Sequence, residues 1–535
     1  MCELKQFKWW QGTIIYQVYP RSFFDSNQDG IGDLNGIISK LDYLSWLGIE
    51  SIWLSPIYPS PMADFGYDIS DYCGIDPLFG NLNDFDRLLS EVHSRNMKLI
   101  LDFVPNHTSD QHPWFLASKS SKQDPKRHWY IWRDAGPDGG VPNNWLAMFG
   151  GSAWEWDAHT QQYYYHGFLS EQPDLNWRNP EVQQAMYDSM KFWLDKGVDG
   201  FRVDVIWHLI KDALLRDNPE NPQYKPHMAT YNRFLPVFST DQPEVHELVN
   251  KMRVLLDGYQ ERMMIGEIYL PLQKLMTYYG TDNNGAHMPF NFTLLETPWE
   301  PALIGLAIDQ YEGALPEGGW PNWVLGNHDQ RRIASRIGTE QSRVAAILLL
   351  TLRGTPTMYY GDELGMEDVL IPIDEIQDPQ GLNMPDKNLS RDPARTPMQW
   401  NDHAFAGFSE VKPWLRVAED YKEINVDLQS QNPDSLLNLY KRIIHLRKDN
   451  DALRYGIYRT VFTSEQILAY TREIKGGTSY LIVLNFSHAP AQFKSNLQFQ
   501  GEIVLCVSNK IIGNAFKNGD MLAANEGIIV ELKSF

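Results

Sequence analysis

The sequence predicts an α/β protein: a (β/α)8 barrel with an inserted subdomain after strand 3 and a C-terminal antiparallel β-sandwich. Three observations carry this. Eight short β-rich runs alternate with helical periodicity over the first two-thirds of the chain, one connection is far longer than the others, and near the C-terminus strand follows strand without helices between.

The candidate strands are 13–20, 50–57, 98–105, 200–206, 263–269, 288–295, 322–329 and 355–363. Between them Leu41 and Leu44 recur before a terminating Gly48, and Phe85, Leu88, Leu89 and Val92 repeat at helical spacing. Another helix opens at Pro180, a good first-turn residue, and stops at Gly197. Eight such units close into a barrel whose chemistry lies on loops at the carboxyl ends of the strands. These units divide into a first barrel part, 1–105, and a second, 180–455. The segment 106–179 between them is rich in Trp, Tyr, Gly and Pro, and a loop of that length is functional or a small subdomain. A second irregular stretch, 366–412, follows the last strand. After the helix 435–448, the strands 467–473 and 479–486, joined through Gly476 and Gly477, place a β domain at 456–535.

Composition narrows the function. Of 535 residues 43% are hydrophobic and 21% charged, an ordinary globular balance, while 18 Trp, 26 Tyr and 24 Phe suit a site that stacks flat apolar faces on sugar rings. A formal charge of −21 disfavours nucleic acid or an anionic membrane as partner, because either is repelled before contact. The first residues carry no apolar leader and no later run is long enough to span a bilayer, so a soluble cytoplasmic protein is expected. Cys2, Cys73 and Cys506 form neither a disulfide framework nor a zinc pattern and are expected as free thiols.

Carboxylates stand at the ends of several candidate strands: Asp102, Asp204, Glu267 and Asp329. Acids brought together at one barrel mouth perturb each other's protonation, and paired carboxylates are what glycosidic cleavage needs. Arg202 lies two residues before Asp204, on the same strand face, where a cation is expected to keep that carboxylate ionised. Glu267 is expected to rise under the negative charge of Asp204 and Asp329.

The segments 102-DFVPNHTS-109, 200-GFRVDVIWH-208, 266-GEIY-269 and 324-VLGNHDQ-330 resemble the four signature regions of the α-amylase family of glycoside hydrolases, in that family's order. The stretches 172-QPDLN-176 and 391-RDPARTPMQW-400 are similar to its oligo-1,6-glucosidase and dextran glucosidase branch. The resemblance implies Asp204 as nucleophile, Glu267 as general acid/base and Asp329 as the acid that holds ring hydroxyls. It implies that His107 and His328 contact glucose, that Asp64 and Tyr67 clamp the terminal unit, and that Arg391 or Arg395, left open by the sequence, pairs with Asp64. Val205 resembles a linkage marker that accompanies α-1,6 activity. The implied activity is a retaining, exo-acting α-glucosidase on short α-glucosides, with α-1,6 bonds favoured and transglycosylation open to the same intermediate.

On the run 25-DSNQDGIGD-33, Asp25, Asn27, Asp29 and Asp33 offer oxygen ligands at odd spacing, suited to a hard cation such as Ca2+. The resemblance adds the Ile31 carbonyl and a structural role. No organic cofactor is expected, the partner is a small oligosaccharide, and a monomer is expected. A sucrose isomerase or glucosyltransferase would use the same acids. A transporter heavy chain, which resembles the family without activity, would depart from the catalytic residues that this chain keeps.

Overall fold

The computed structural model describes residues 7–496, 498–507 and 512–534, so Cys2 lies outside the described residues. Eight parallel strands form one sheet: β1 (Ile15–Val18), β2 (Ser51–Leu54), β3 (Lys98–Phe103), β7 (Gly200–Val203), β8 (Met263–Gly266), β9 (Met288–Pro289), β10 (Asn322–Val324) and β11 (Thr355–Tyr359). The last pair with the first, and a single parallel bridge between Asn291 and Trp323 links β9 to β10, which brings the ring to closure. Strands β4 (Trp132–Arg133), β5 (Trp154–Asp157) and β6 (Gln162–Tyr165) form a small antiparallel sheet in the connection that follows β3.

Strand periodicity of two explains where the chemistry sits. Ile15, Trp53, Ile100 and Ile265 fill the barrel interior. Two residues further along, on the same face, stand Gln17, Asp102 and Glu267, with Arg202 in register with both Asp102 and Ile265. The floor of the barrel is thus apolar and its next layer is charged. The helices cover the outside as their patterns indicate: Leu82–Ser94 buries Phe85, Leu88, Leu89 and Val92, and Pro180–Lys196 ends at Gly197, whose φ of 108° is open to glycine.

All eight strands are shorter than the sequence suggests, and the two shortest have a visible cause. The run 288–295 is extended only over β9, because the Asn291 side chain accepts from the Thr293 N–H and starts a helical turn, Thr293–Glu296. The run 322–329 leaves the sheet after Val324 and turns, with the Asn327 side chain accepting from the Asp329 N–H. The C-terminal layer is an antiparallel sheet of β12 (Ile457–Thr463), β13 (Ile467–Glu473), β14 (Ser479–Asn485), β16 (Gln500–Cys506), β17 (Ala515–Phe516) and β19 (Gly527–Ser534); β15 (Ala491–Gln492) pairs with β18 (Met521–Leu522). Its faces alternate cleanly. Leu468, Tyr470, Ile482, Leu484 and Ile529 join the barrel's helical layer, while Ile467, Ala469, Leu481, Val483 and Val530 enclose a second core with Phe493 and Leu522. Among the described residues no helix is long and apolar enough to cross a membrane.

Candidate active site

Arg202 is the centre of the mouth. Its guanidinium is fully buried, with Nη1 at 2.8 Å from Asp102 Oδ1 and 2.7 Å from Asp204 Oδ1. Nη2 is 2.9 Å from Glu267 Oε2, close enough for an ion pair though out of line for a hydrogen bond. Three acids on three adjacent strands therefore share one cation. Asp102 also accepts from Trp53 Nε1 at 3.2 Å and Tyr67 Oη at 3.0 Å, which makes it the base of the cluster.

One cation cannot balance three buried acids, and the protonation pattern follows. Burial pushes Asp102 up to about 6 against the pull of Arg202. Burial also raises Asp204, with the neighbouring Glu267 and Asp102 adding to it, so Arg202 does not hold Asp204 down as its position in the sequence suggests. Glu267 is raised first by burial and then by Asp329; Asp204 acts on it through a hydrogen bond that lowers it, the reverse of the expected repulsion. Asp204 and Glu267 behave as a pair that keeps a proton above the ordinary carboxylate range. The Val205 N–H donates to Glu267 Oε2 at 2.9 Å, which favours the charged form of that side chain.

Asp329 is different. Burial opposes its charge, but His328, Arg391 and Arg395 outweigh that and hold it below the usual carboxylate range. Its Oδ1 accepts from Arg391 Nη1 at 3.1 Å and Arg395 Nη2 at 2.9 Å. Arg391, and not Arg395, reaches Asp64: Nη2 to Oδ1 is 2.7 Å. Arg395 instead turns its Nε to the His328 carbonyl. Together Asp64, Arg391 and Asp329 close one side of the pocket, with Phe149 under the Arg391 guanidinium at 4.7 Å.

Both histidines lie against Tyr67. The Gln17 amide faces His328 Nδ1 at 2.8 Å, so the hydrogen lies on Nε2, which faces Tyr67 Oη at 2.7 Å. Gln17, His328, Tyr67 and Asp102 form one donor chain across the barrel. The Tyr67 and His328 rings are parallel, 5.3 Å apart. Burial lowers His107 to about 4, leaving it neutral, with Nε2 near the Tyr67 carbonyl and Gln172 Nε2. Gln172 also donates to Asp64 Oδ2, and Asp174 pairs with buried Lys211 and accepts from Asn106, so the 172–176 motif ties the inserted segment to the pocket.

Several site residues escape a reading by sequence. Gln17 sits in an unremarkable strand. Phe292 stacks on Tyr269 at 4.0 Å and 4° to make an aromatic wall beside Glu267, and only Tyr269 falls inside a recognisable motif. Asp378, in the irregular stretch, grips Arg391. The loop 25–33 is built on side-chain acceptors: Asp25 takes the Asn27, Gln28 and Gly30 N–H groups and Ser409 Oγ, Asp29 takes the Ile31 N–H, and Asp33 caps the helix Leu34–Ser39. Among the described residues no three His, Cys, Asp or Glu side chains converge as a metal-holding group. Cys73 is a free thiol, and the Cys506 thiol faces Glu526 Oε1 at 3.2 Å.

A barrel with this acid cluster at the carboxyl ends of its strands defines a glycoside hydrolase. Residues 17–456 match the alpha amylase catalytic domain, and the chain belongs to the α-amylase family. It is 42% identical to an alpha-glucosidase of Apis mellifera over 89% of this chain and 85% of that one. It is 39% identical to an oligo-1,6-glucosidase of Bacillus cereus over 98% of this chain and all of that one. The crystal structure of an alpha-glucosyl transfer enzyme superposes with a TM-score of 0.93 at 40% identity, covering 99% of this chain and 100% of that chain.

Proposed function

We propose that this chain is a retaining α-glucosidase that removes glucose from the non-reducing end of short α-glucosides and favours α-1,6 bonds. The observation that carries the reading is the single guanidinium shared by Asp204 and Glu267, beside an Asp329 kept charged by two further arginines. One guanidinium holds the two carboxyls close, which suits the roughly 5–5.5 Å separation of retaining enzymes rather than the wider gap that admits water between acid and base.

In this reading Asp204 attacks the anomeric carbon while Glu267 gives its proton to the leaving oxygen. The C–O bond to the aglycone breaks, a glycosyl ester forms on Asp204, and Glu267, now a carboxylate, takes a proton from the water that hydrolyses it. The first step requires the shared proton to pass from Asp204 to Glu267, leaving Asp204 charged. Asp329 accepts from ring hydroxyls and favours the positive charge that builds at the ring. Arg391 and Asp64 close the pocket behind one glucose unit, which supports exo action.

A second reading, transfer of glucose to a sugar acceptor, has the support of the similar alpha-glucosyl transfer enzyme. Incubation with isomaltose, maltose, sucrose and trehalose, with chromatography of every product, separates the two. Glucose as the main product supports hydrolysis, and isomerised or lengthened sugars overturn it. Early release of β-glucose by proton NMR would overturn retention.

The oxygen donors Asp25, Asn27, Asp29, Ile31 and Asp33 suit Ca2+ in residue type, and we assign it a structural role there. Chelation should lower the melting temperature and leave the initial rate unchanged; an unmoved melting curve after verified metal removal rejects the site. Domain limits at 1–105, 106–179, 180–455 and 456–535 accord with the positions of the separate sheets. A cytoplasmic monomer accords with the acidic surface and the free Cys73 thiol.

A further inference from the structure

Asp378 lies in the loop after the last barrel strand, outside the acid cluster, and is fully buried. Its Oδ1 accepts from Arg391 Nε at 3.0 Å and Nη2 at 2.6 Å, and its Oδ2 accepts from the Arg391 backbone N–H at 2.7 Å. One carboxylate thus fixes both the main chain and the side-chain torsions of a single arginine. Asp392 completes a reciprocal clasp: its Oδ2 accepts from the N–H groups of Gln377 and Asp378. The clasp joins the two ends of the loop 379–390, whose Met384 packs near Gly150 and whose Lys387 donates to the Pro226 carbonyl.

We propose that Asp378 is a positioning residue for substrate binding: by holding Arg391 from behind, it aims the guanidinium at Asp64 and Asp329 and fixes the side of the pocket that receives the terminal sugar. This deepens the functional reading above and rests on it. Without Asp378, Arg391 retains two acids, both of which face the sugar, and the guanidinium is free to collapse onto one of them. The buried charge of Arg391 then competes with the sugar hydroxyls for Asp64 and Asp329. A misplacement of about 1 Å in such a group costs up to roughly 100-fold in rate.

The test combines kinetics with direct binding. Asp378→Asn keeps an oxygen for the Arg391 N–H but sets an amide against the guanidinium. KM for isomaltose and maltose should rise about ten-fold or more, with a smaller fall in kcat, and calorimetry should show glucose binding weakened by a similar factor. In an Arg391→Lys background the same substitution should add little, because the effect runs through the arginine. Wild-type KM and glucose affinity in Asp378→Asn, or full additivity with Arg391→Lys, overturns the proposal. Asp378→Glu, which keeps the charge and moves it by one methylene, is the second arm if the amide variant does not fold. Glu should give an intermediate loss at near wild-type melting temperature, and unchanged binding rejects the role. A wild type that binds glucose but cleaves neither sugar would sink the functional reading, while the glucose measurements still decide the role of Asp378.

Discussion

Two regions of this molecule bury arginine guanidiniums and use them in opposite ways. At the barrel mouth Arg202 and Arg391 lie among carboxylates; burial works against their charge, but Asp102 and Glu267 for the first, and Asp378 and Asp64 for the second, raise their proton affinity further. At the junction with the C-terminal sheet Arg447 and Arg472 are fully buried and bond to carbonyls instead. Arg447 donates to Leu350, Leu352 and Gly354, and Arg472 to Thr351 and Gly456, around the end of the helix Thr339–Thr351. Burial lowers both, Arg447 to about 9 with Arg454 adding to the effect, and Arg472 with Arg447 adding to it. Carbonyls at a helix C-terminus offer partial negative charge that never titrates. A structural cation is served by fixed dipoles, whereas a reactive one must be surrounded by groups that change protonation.

The largest effect expected from this contrast is on chemistry. Asp204→Asn removes the attacking oxygen and one partner of Arg202, while leaving shape nearly unchanged. Its kcat should fall roughly 10^4-fold or more with the melting temperature held or raised, since one of three crowded acids is neutralised. Residual turnover near wild type in a clean preparation means that the wrong acid has been named. Glu267→Gln should lose the alkaline limb of the rate profile, and added azide should restore turnover of a substrate with a good leaving group, because azide needs no general base.

The contrast itself breaks or holds with a pair of arginine variants. Arg202→Met leaves Asp102, Asp204 and Glu267 without a cation and should cost about 3–5 kcal/mol of stability near neutrality. The loss should shrink as pH falls, because protonated acids need no partner. Arg447→Met removes hydrogen bonds to carbonyls and should cost ~1.5–3 kcal/mol with no such pH dependence and an unchanged kcat. Denaturant unfolding of both variants at two pH values checks this, and parallel pH profiles would dissolve the distinction.

How much of this was legible in the sequence depends on how local the cause is. Asp102, Asp204, Glu267 and Asp329 follow from strand ends and motif order, and the barrel follows from eight repeats of a simple pattern. The choice of Arg391 over Arg395 does not, since both lie within one motif, and only the path of the chain decides that Arg391 reaches Asp64. The protonation of Asp204 is hidden for a related reason: Arg202 two residues before Asp204 looks like a private partner, and the two further acids it serves come from neighbouring strands. Arg447 and Arg472 lie within the helix 435–448 and the strand 467–473, where nothing in the spacing marks them. Their burial arises from packing the C-terminal sheet on the barrel, which no spacing in the sequence records.

A smaller effect concerns the neutral histidines. His107 has its folded value lowered by burial to about 4 against an ordinary value of 6.5. The unfolded chain therefore binds the proton first as pH falls. The stability tied to the neutral ring is complete above about pH 6.5 and is lost progressively toward pH 4, a span of ~3 kcal/mol. His107→Gln should flatten the fall of unfolding free energy over that window by about this amount relative to wild type. Identical slopes for the two proteins would show that His107 is protonated, or exposed, in the fold.

The smallest effect, and the finest test of the mouth, is at Val205. Its backbone stands at φ 36° and ψ 46°, a left-handed conformation that a β-branched residue adopts only under strain of ~1–3 kcal/mol. That conformation follows Asp204 and aims the Val205 N–H at Glu267, so main chain and side chain have separate tasks here. Replacement by glycine would relax the strain and confuse the two. Val205→Thr keeps the branching and the size, and exchanges one methyl for a hydroxyl in a nearly buried position beside the catalytic pair. Any change then belongs to the side chain. The wild type should cleave isomaltose with a higher kcat/KM than maltose, and the Thr variant should move that ratio toward maltose by roughly ten-fold, the scale of a methyl-sized change in a pocket. If the ratio stays put while the pH profile also holds, Val205 serves only to turn the chain toward Glu267, and linkage preference lies with the Tyr269 and Phe292 wall.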